Sequence, residues 1–230
     1  MVKVHAVTAA TRTITVVHMG DSITFGQYLD PSLRWTTLIE DHLNDSFGDD
    51  VEIRAFNRGI SGETTRMGLE RFPRDVQDLR PEVMTLQFGL NDCNCWMSDD
   101  GLPRVSEAAF RANLVEMIER ARRFGARAIV LATNHRTLRR DVLPSGEVYE
   151  DANERYSEIV REAAEVAGVD LCDIRAAFDP FDDEKLAAML LPAPDLLHLS
   201  EEGNAAYAEA IWPHVRRATA AALEGTLLER

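Results

Sequence analysis

The chain alternates between short apolar runs rich in β-branched residues and amphipathic helical stretches. That alternation limits the folds open to it more than any other feature. Residues 14–19 form an apolar run closed by Gly20. Residues 35–47 read as a helix ending at Gly48, 51–56 alternate as a strand, and 72–79 read as a short helix stopped by Pro81. Residues 83–88 form a buried strand ending at Gly89. Phe110, Leu114, Met117, Ile118 and Ala121 recur at helical spacing, with Ser106 placed as N-cap and Gly125 beyond the end. Residues 128–132 are a further buried strand. Tyr156, Ile159, Val160, Ala163 and Ala167 mark a helix closed by Gly168, and 169–172 a short strand. Ser200 is placed to cap a last helix in which Tyr207, Ile211 and Val215 share a face.

Five strands separated by helices imply an α/β protein with a five-stranded parallel sheet covered on both faces. Crossovers should be right-handed. No linker, repeat or low-complexity tract divides the chain, so residues 1–230 read as one domain. In open sheets of this kind ligands sit at the carboxyl ends of the strands. The chemistry is therefore sought in the loops after Met19, Phe56, Phe88 and Ala132, and in the C-terminal segment. The stretch 134–150 is long, polar and irregular, follows a strand, and is the candidate specificity element.

Composition narrows the function classes. A formal net charge of −14 repels nucleic-acid phosphates and anionic lipid, so neither a nucleic-acid partner nor stable membrane association is expected. Cys93, Cys95 and Cys172 are an odd set with no disulfide framework, and the first two are too few for a metal site. Residues 1–12 lack the apolar run of a signal peptide, and no stretch approaches the ~20 apolar residues of a membrane span. A reduced, cytoplasmic protein is the expectation.

Four loop segments hold what acyl transfer requires: Gly20-Asp21-Ser22, Asn57 to Thr64, Gly89-Leu90-Asn91-Asp92, and Asp195-Leu196-Leu197-His198. A serine hydroxyl needs a base to take its proton, and His198 can do so for Ser22. The imidazole must be held in one tautomer and its cation stabilised; Asp195, three residues earlier, can reach the other ring nitrogen. The developing oxyanion needs fixed donors. Candidates are the amides of Ser22 and Gly62 and the side chain of Asn91. Gly59 lies in the same loop as Gly62 and can shape the turn instead. Each short motif alone is commonly a turn or a cap. All four in this order at strand ends point to catalysis.

The set resembles the GDSL, or SGNH, hydrolase family of esterases and lipases, whose Ser, Gly, Asn and His match Ser22, Gly62, Asn91 and His198, with Asp195 at the family's triad Asp. The likeness runs from Ile14 to about Ile211. The first block reads Gly-Asp-Ser-Ile rather than Gly-Asp-Ser-Leu. The second is similar to the microbial thioesterase/lysophospholipase branch and to small carbohydrate acetylesterases. The resemblance implies a flavodoxin-like three-layer α/β/α sandwich, a Ser-His-Asp triad, and neither metal nor cofactor. It favours Gly62 over Gly59 as the oxyanion glycine. The expected substrate is a small-molecule carboxylic ester, with short acyl groups such as acetyl favoured because no long apolar lid is present. The alternatives are an acyltransferase using the same triad, and a lysophospholipase or thioesterase. Asp21 is read as ordering the nucleophile loop and, with Trp96, His135 and Arg136, as a candidate substrate contact. Met97 and Tyr149 are read as rimming the cleft, Asp92 and Asn57 as bracing their loops, and His18 as a core or interface residue.

Overall fold

The structure is a computed structural model describing residues 12–48 and 51–225. Residues 1–11, most of the stretch in which no signal peptide is legible, lie outside the described residues. The strands are β1 (Arg12–Gly20), β2 (Val51–Gly59), β3 (Val83–Gln87), β4 (Ala128–Ala132) and β5 (Asp170–Cys172). They form one sheet in the order β2-β1-β3-β4-β5, every pair parallel. β3 and β4 are buried along their whole length, as strands covered on both faces must be.

The longer helices are α2 (Trp35–Phe47), α3 (Thr65–Phe72), α4 (Glu107–Arg123), α5 (Tyr149–Ala167) and α8 (Glu201–Glu224). Helices α2 and α8 pack on each other and on the sheet; α4 packs on α3 and α5. The expected α/β/α layering is thus found. Ser106 caps α4 by accepting from the Ala109 amide at 3.4 Å, and Ser200 caps α8 by accepting from the Gly203 amide at 3.2 Å.

Three short helices escape the sequence pattern: α1 (Ser22–Phe25), α6 (Ile174–Phe178) and α7 (Asp183–Met189). One or two turns are too short to express a helical period. The helix expected over 72–79 begins earlier, at Thr65. Pro73 lacks the N–H that would continue it, and residues 73–77 run on as a wider turn.

The order 2-1-3-4-5 fixes where a site can form. From β1 the chain moves outward to β2, then returns past β1 to β3 and continues the other way. The loops leaving β1 and β3 therefore part company at the carboxyl edge and leave a crevice between them. Ser22 lies in the first of these loops and Asn91 in the second.

Candidate active site

β1 ends at Gly20, where the chain has no room for a side chain. A Cβ at Gly20 would lie 2.1 Å from Thr24 Oγ1 and 2.6 Å from the Gln87 carbonyl. The chain then turns into α1, whose N-cap is Asp21: its Oδ1 accepts from the Ile23 amide at 2.9 Å. Ser22 is the first helical residue, so its own amide has no partner within the helix. The turn is pinned from outside. Trp35 Nε1 donates to the Ile23 carbonyl at 3.0 Å, and Asn57 Nδ2 donates to the Thr24 carbonyl at 2.8 Å. Asn57 Oδ1 also accepts from the Gly59 amide, so this side chain ties the end of β2 to α1.

Ser22 meets His198 and Asp195 across the crevice. His198 Nε2 lies 2.9 Å from Ser22 Oγ, and His198 Nδ1 lies 2.8 Å from Asp195 Oδ2. A carboxylate only accepts, so Nδ1 carries the proton and Nε2 presents its lone pair to the serine hydroxyl. The Asp195–His198 turn is tight because Leu196 takes a left-handed conformation (φ 54°). That conformation costs a non-glycine residue about 1–2 kcal/mol. Its compensation is visible: Asp195 Oδ1 accepts from the amides of His198 (2.6 Å) and Leu197 (3.0 Å). Burial of Asp195 opposes ionisation, but the His198 amide and ring and the Leu197 amide outweigh it, and its pKa lies below the ordinary carboxylate value.

Gly62 and Asn91 line the same cavity of about 180 Å³ as Ser22 and His198. Gly62 is left-handed (φ 79°), with nothing within 4 Å of the position a Cβ would take. Gly59 is different. A Cβ there would sit 2.1 Å from the Phe25 amide nitrogen, so Gly59 is required for close packing of β2 on α1. Asn91 is held by Arg104, whose Nη1 donates to its Oδ1 at 3.4 Å, while its Nδ2 faces Asp21 Oδ2 at 3.4 Å. Asp92 anchors the same loop by accepting from the amide (2.9 Å) and hydroxyl (2.5 Å) of Thr65 at the start of α3.

Three candidate substrate contacts are corrected. Asp21 is fully buried under the nucleophile turn and cannot touch a ligand in the cavity. His135 is also fully buried. Its Nε2–H donates to the Leu197 carbonyl at 2.8 Å, so it braces the turn carrying His198 from beneath, and burial lowers its pKa to about 4. Arg136 turns away from the cavity: Nη1 donates to the Phe181 carbonyl at 2.9 Å and Nη2 pairs with Asp183. Asp21 adjoins Ser22 in sequence but turns beneath it as the cap of α1. His135 and Arg136 lie in an irregular loop, where tertiary contacts decide which side chain faces the cavity. Trp96 lies outside the Ser22 cavity, in an adjoining groove of about 640 Å³ with Thr64, Met67 and Leu102, where Arg104 stacks 4.4 Å over its ring. His18 is core: burial lowers its pKa to about 3, and it meets Thr85 Oγ1 at 2.9 Å.

Tyr149, read from the sequence as rimming the cleft, does line this cavity. Tyr28 is exposed, left-handed (φ 69°) and edge-on to the His198 ring at 5.4 Å. Gln27 bonds Ser61. Leu90, Asn94, Arg139 and Leu197 complete the lining with Tyr149. Arg71, buried in α3, donates to the Gly20 carbonyl at 3.1 Å and pairs with Glu63 and Asp75, joining the Ser22 turn to the Gly62 loop. Among the described residues no helix is long and apolar enough to cross a membrane.

The family model described as GDSL-like Lipase/Acylhydrolase matches residues 18–206. Esterase TesA of Pseudomonas aeruginosa is 33% identical over 123 residues, 54% of this chain and 55% of its own length. An arylesterase of Vibrio mimicus is 29% identical over 113 residues, 49% of this chain and 51% of its own. The chain spans about half the length of these curated relatives. Axe2, an acetylxylan esterase from Geobacillus stearothermophilus, superposes with a TM-score of 0.69 at 21% identity over 90% of this chain and 96% of its own, a likeness of fold. The acetyl xylan esterase AlAXEase superposes with a TM-score of 0.68 at 25% identity over 88% of this chain and all of its own. The chain belongs to the GDSL-like lipase/acylhydrolase family.

Proposed function

We propose that the protein hydrolyses carboxylic esters, with Ser22 as nucleophile, His198 as general base and acid, and Asp195 as the orienting carboxylate. The observation that carries this reading is the unbroken run Ser22 Oγ, His198 Nε2, His198 Nδ1, Asp195 Oδ2, with gaps of 2.9 and 2.8 Å. Ser22 Oγ attacks the carbonyl while Nε2 takes its proton. The amides of Ser22 and Gly62 and the Asn91 side chain receive the oxyanion. His198 then protonates the departing alkoxide. In the second half it takes a proton from water, whose oxygen attacks the acyl-enzyme and releases the acid and free Ser22.

The 180 Å³ cavity favours a short acyl group, acetyl above all. The acetylxylan esterases of the same fold are in keeping with that choice. A second reading, a thioesterase or lysophospholipase acting on longer chains, draws on one observation: the neighbouring groove with exposed Met67, Trp96 and Leu102. A series of 4-nitrophenyl esters from acetate to dodecanoate separates the two by the chain length at which kcat/KM peaks. Ser22→Ala should lower kcat by at least about 10⁴-fold with an unchanged melting temperature. Turnover that survives the substitution would remove Ser22 from the mechanism.

A further inference from the structure

Of the side chains walling the cavity beside Ser22, only two are basic: His198, which the mechanism uses, and Arg139, which it does not. The chain has 39 acidic residues, yet none of those lining this cavity is Asp or Glu. Arg139 comes from the long loop between β4 and α5. Its backbone is placed where Leu138 donates to the Leu196 carbonyl at 3.0 Å, stitching this loop to the Asp195–His198 turn.

The guanidinium is only partly used. Nε donates to the Asp195 carbonyl at 3.2 Å, and the group stands 5.4 Å over the Tyr149 ring, which fixes its plane. Tyr149 is itself fixed, its hydroxyl donating to the Leu90 carbonyl at 2.8 Å. Neither terminal nitrogen has a hydrogen-bond partner among the described residues. The side chain is one-third exposed. One carboxylate is near: that of Asp141, 3.7 Å from Nε, is largely exposed and free to turn into water.

An Arg held by one nitrogen and a ring face presents its other N–H groups as a planar fork, and that fork matches a carboxylate with two parallel hydrogen bonds. We propose that Arg139 is an anion subsite of the catalytic cleft, selecting esters whose acyl or alcohol part carries a carboxylate. This rests on the ester-hydrolase reading above. It explains why the cleft lacks acidic side chains in an otherwise acidic protein: a carboxylate there would occupy the fork and repel such a substrate.

Two substrate pairs test it, each an anion and a neutral analogue of similar shape. In 4-acetoxybenzoate against 4-acetoxybenzamide the charge is on the alcohol side. In mono-4-nitrophenyl glutarate against 4-nitrophenyl hexanoate it is on the acyl side, with rates corrected for the buffer blank. The wild type should favour the anion in one pair by about tenfold in kcat/KM. Which pair responds tells which side of the ester faces Arg139. Arg139→Gln should bring that ratio to about one, and Arg139→Lys should keep part of it. Raising NaCl from about 0.05 to 0.5 M should erode the wild-type ratio, and this measurement decides the matter even if Arg139→Gln fails to fold. A wild type that cleaves the neutral esters with no anionic preference overturns the subsite alone, as does a preference that survives Arg139→Gln. A wild type that cleaves no ester overturns the hydrolase reading and the subsite with it.

Discussion

On the wall of the cleft that carries Ser22, Gly62 and Asn91, each loop leaves its strand and is tied within a few residues to a buried partner. Asp21 holds the Ile23 amide, Asn57 joins β2 to α1, and Asp92 holds the start of α3. On the facing wall the chain between β4 and α5 has no helix and only one isolated bridge, between Val142 and Val148. It is held by tertiary ties that leave its middle irregular: His135 under Leu197, Thr137 on Glu150, whose other oxygen lies 3.0 Å from Arg175, and Leu138 on Leu196. The first wall spends its polar groups on holding reacting atoms in place, as preorganised catalysis demands. The second leaves a cation and an aromatic ring facing the cavity. A difference of this kind separates chemistry from recognition, and substitutions on the two walls should differ in what they change.

After Ser22 itself, the largest effect in such a comparison belongs to Asn91. If its amide meets the oxyanion, Asn91→Ala should lower kcat by about 10²–10³-fold with little change in KM. Substitutions on the facing wall should move KM and substrate ratios instead. A raised KM with kcat unchanged for Asn91→Ala would place it in ground-state binding and erase the distinction.

Arg104 sharpens the same point. It touches Asn91 Oδ1 from the groove side and rests on Trp96. Its charge should polarise the amide and strengthen as a donor the Nδ2–H that does not go to Asp21. Arg104→Gln should cost about 1 kcal/mol in kcat, roughly fivefold. Made in an Asn91→Ala background, the same change should cost nothing. A cost that persists there would mean that Arg104 acts on the groove and not through Asn91.

The two walls also differ in how far they could be read from sequence. Ser22, Gly62, Asn91, Asp195 and His198 lie in short motifs next to strand ends or one turn apart, where local spacing determines which side chains meet. The sheet order then brings those ends to one edge. Gly59 and Gly62 are told apart only in three dimensions, by the Phe25 backbone against one and open space beside the other. Arg136 and Arg139 are both arginines of the same irregular loop, with no period to say which faces inward. Tertiary contacts decide it: Phe181 and Asp183 capture Arg136, whereas the Asp195 carbonyl and Tyr149 hold Arg139 at the cavity. Tyr28 depends on a left-handed backbone that nothing in its neighbours announces.

The ordered wall carries a cost that appears as a pH dependence. Asp21 is fully buried; burial pushes its pKa up from 3.8 to about 7, with the charge of Asp92 adding to the rise and hydrogen bonds from Ile23, Gln87 and Asn91 opposing it. Asp92 is raised to about 6, again by burial. Through most of the interval from 3.8 to about 7 the folded Asp21 carboxyl keeps a proton that the unfolded one has released. The folded state therefore binds more protons, and raising the pH through this window favours unfolding. Below it the term vanishes, because both states are protonated; above it the penalty is complete. Asp21→Asn keeps an oxygen to accept from Ile23 and removes the titration, so its melting temperature should fall less than the wild type's between pH 5 and 8. A difference of about 1 kcal/mol corresponds to about 2–4 °C for a chain of this size. The residual slope in the variant belongs partly to Asp92 and should flatten further in the double variant with Asp92→Asn. Parallel melting curves for wild type and Asp21→Asn would mean that Asp21 ionises in the fold as readily as in the unfolded chain, and that the tight wall holds its charge without the penalty its burial implies.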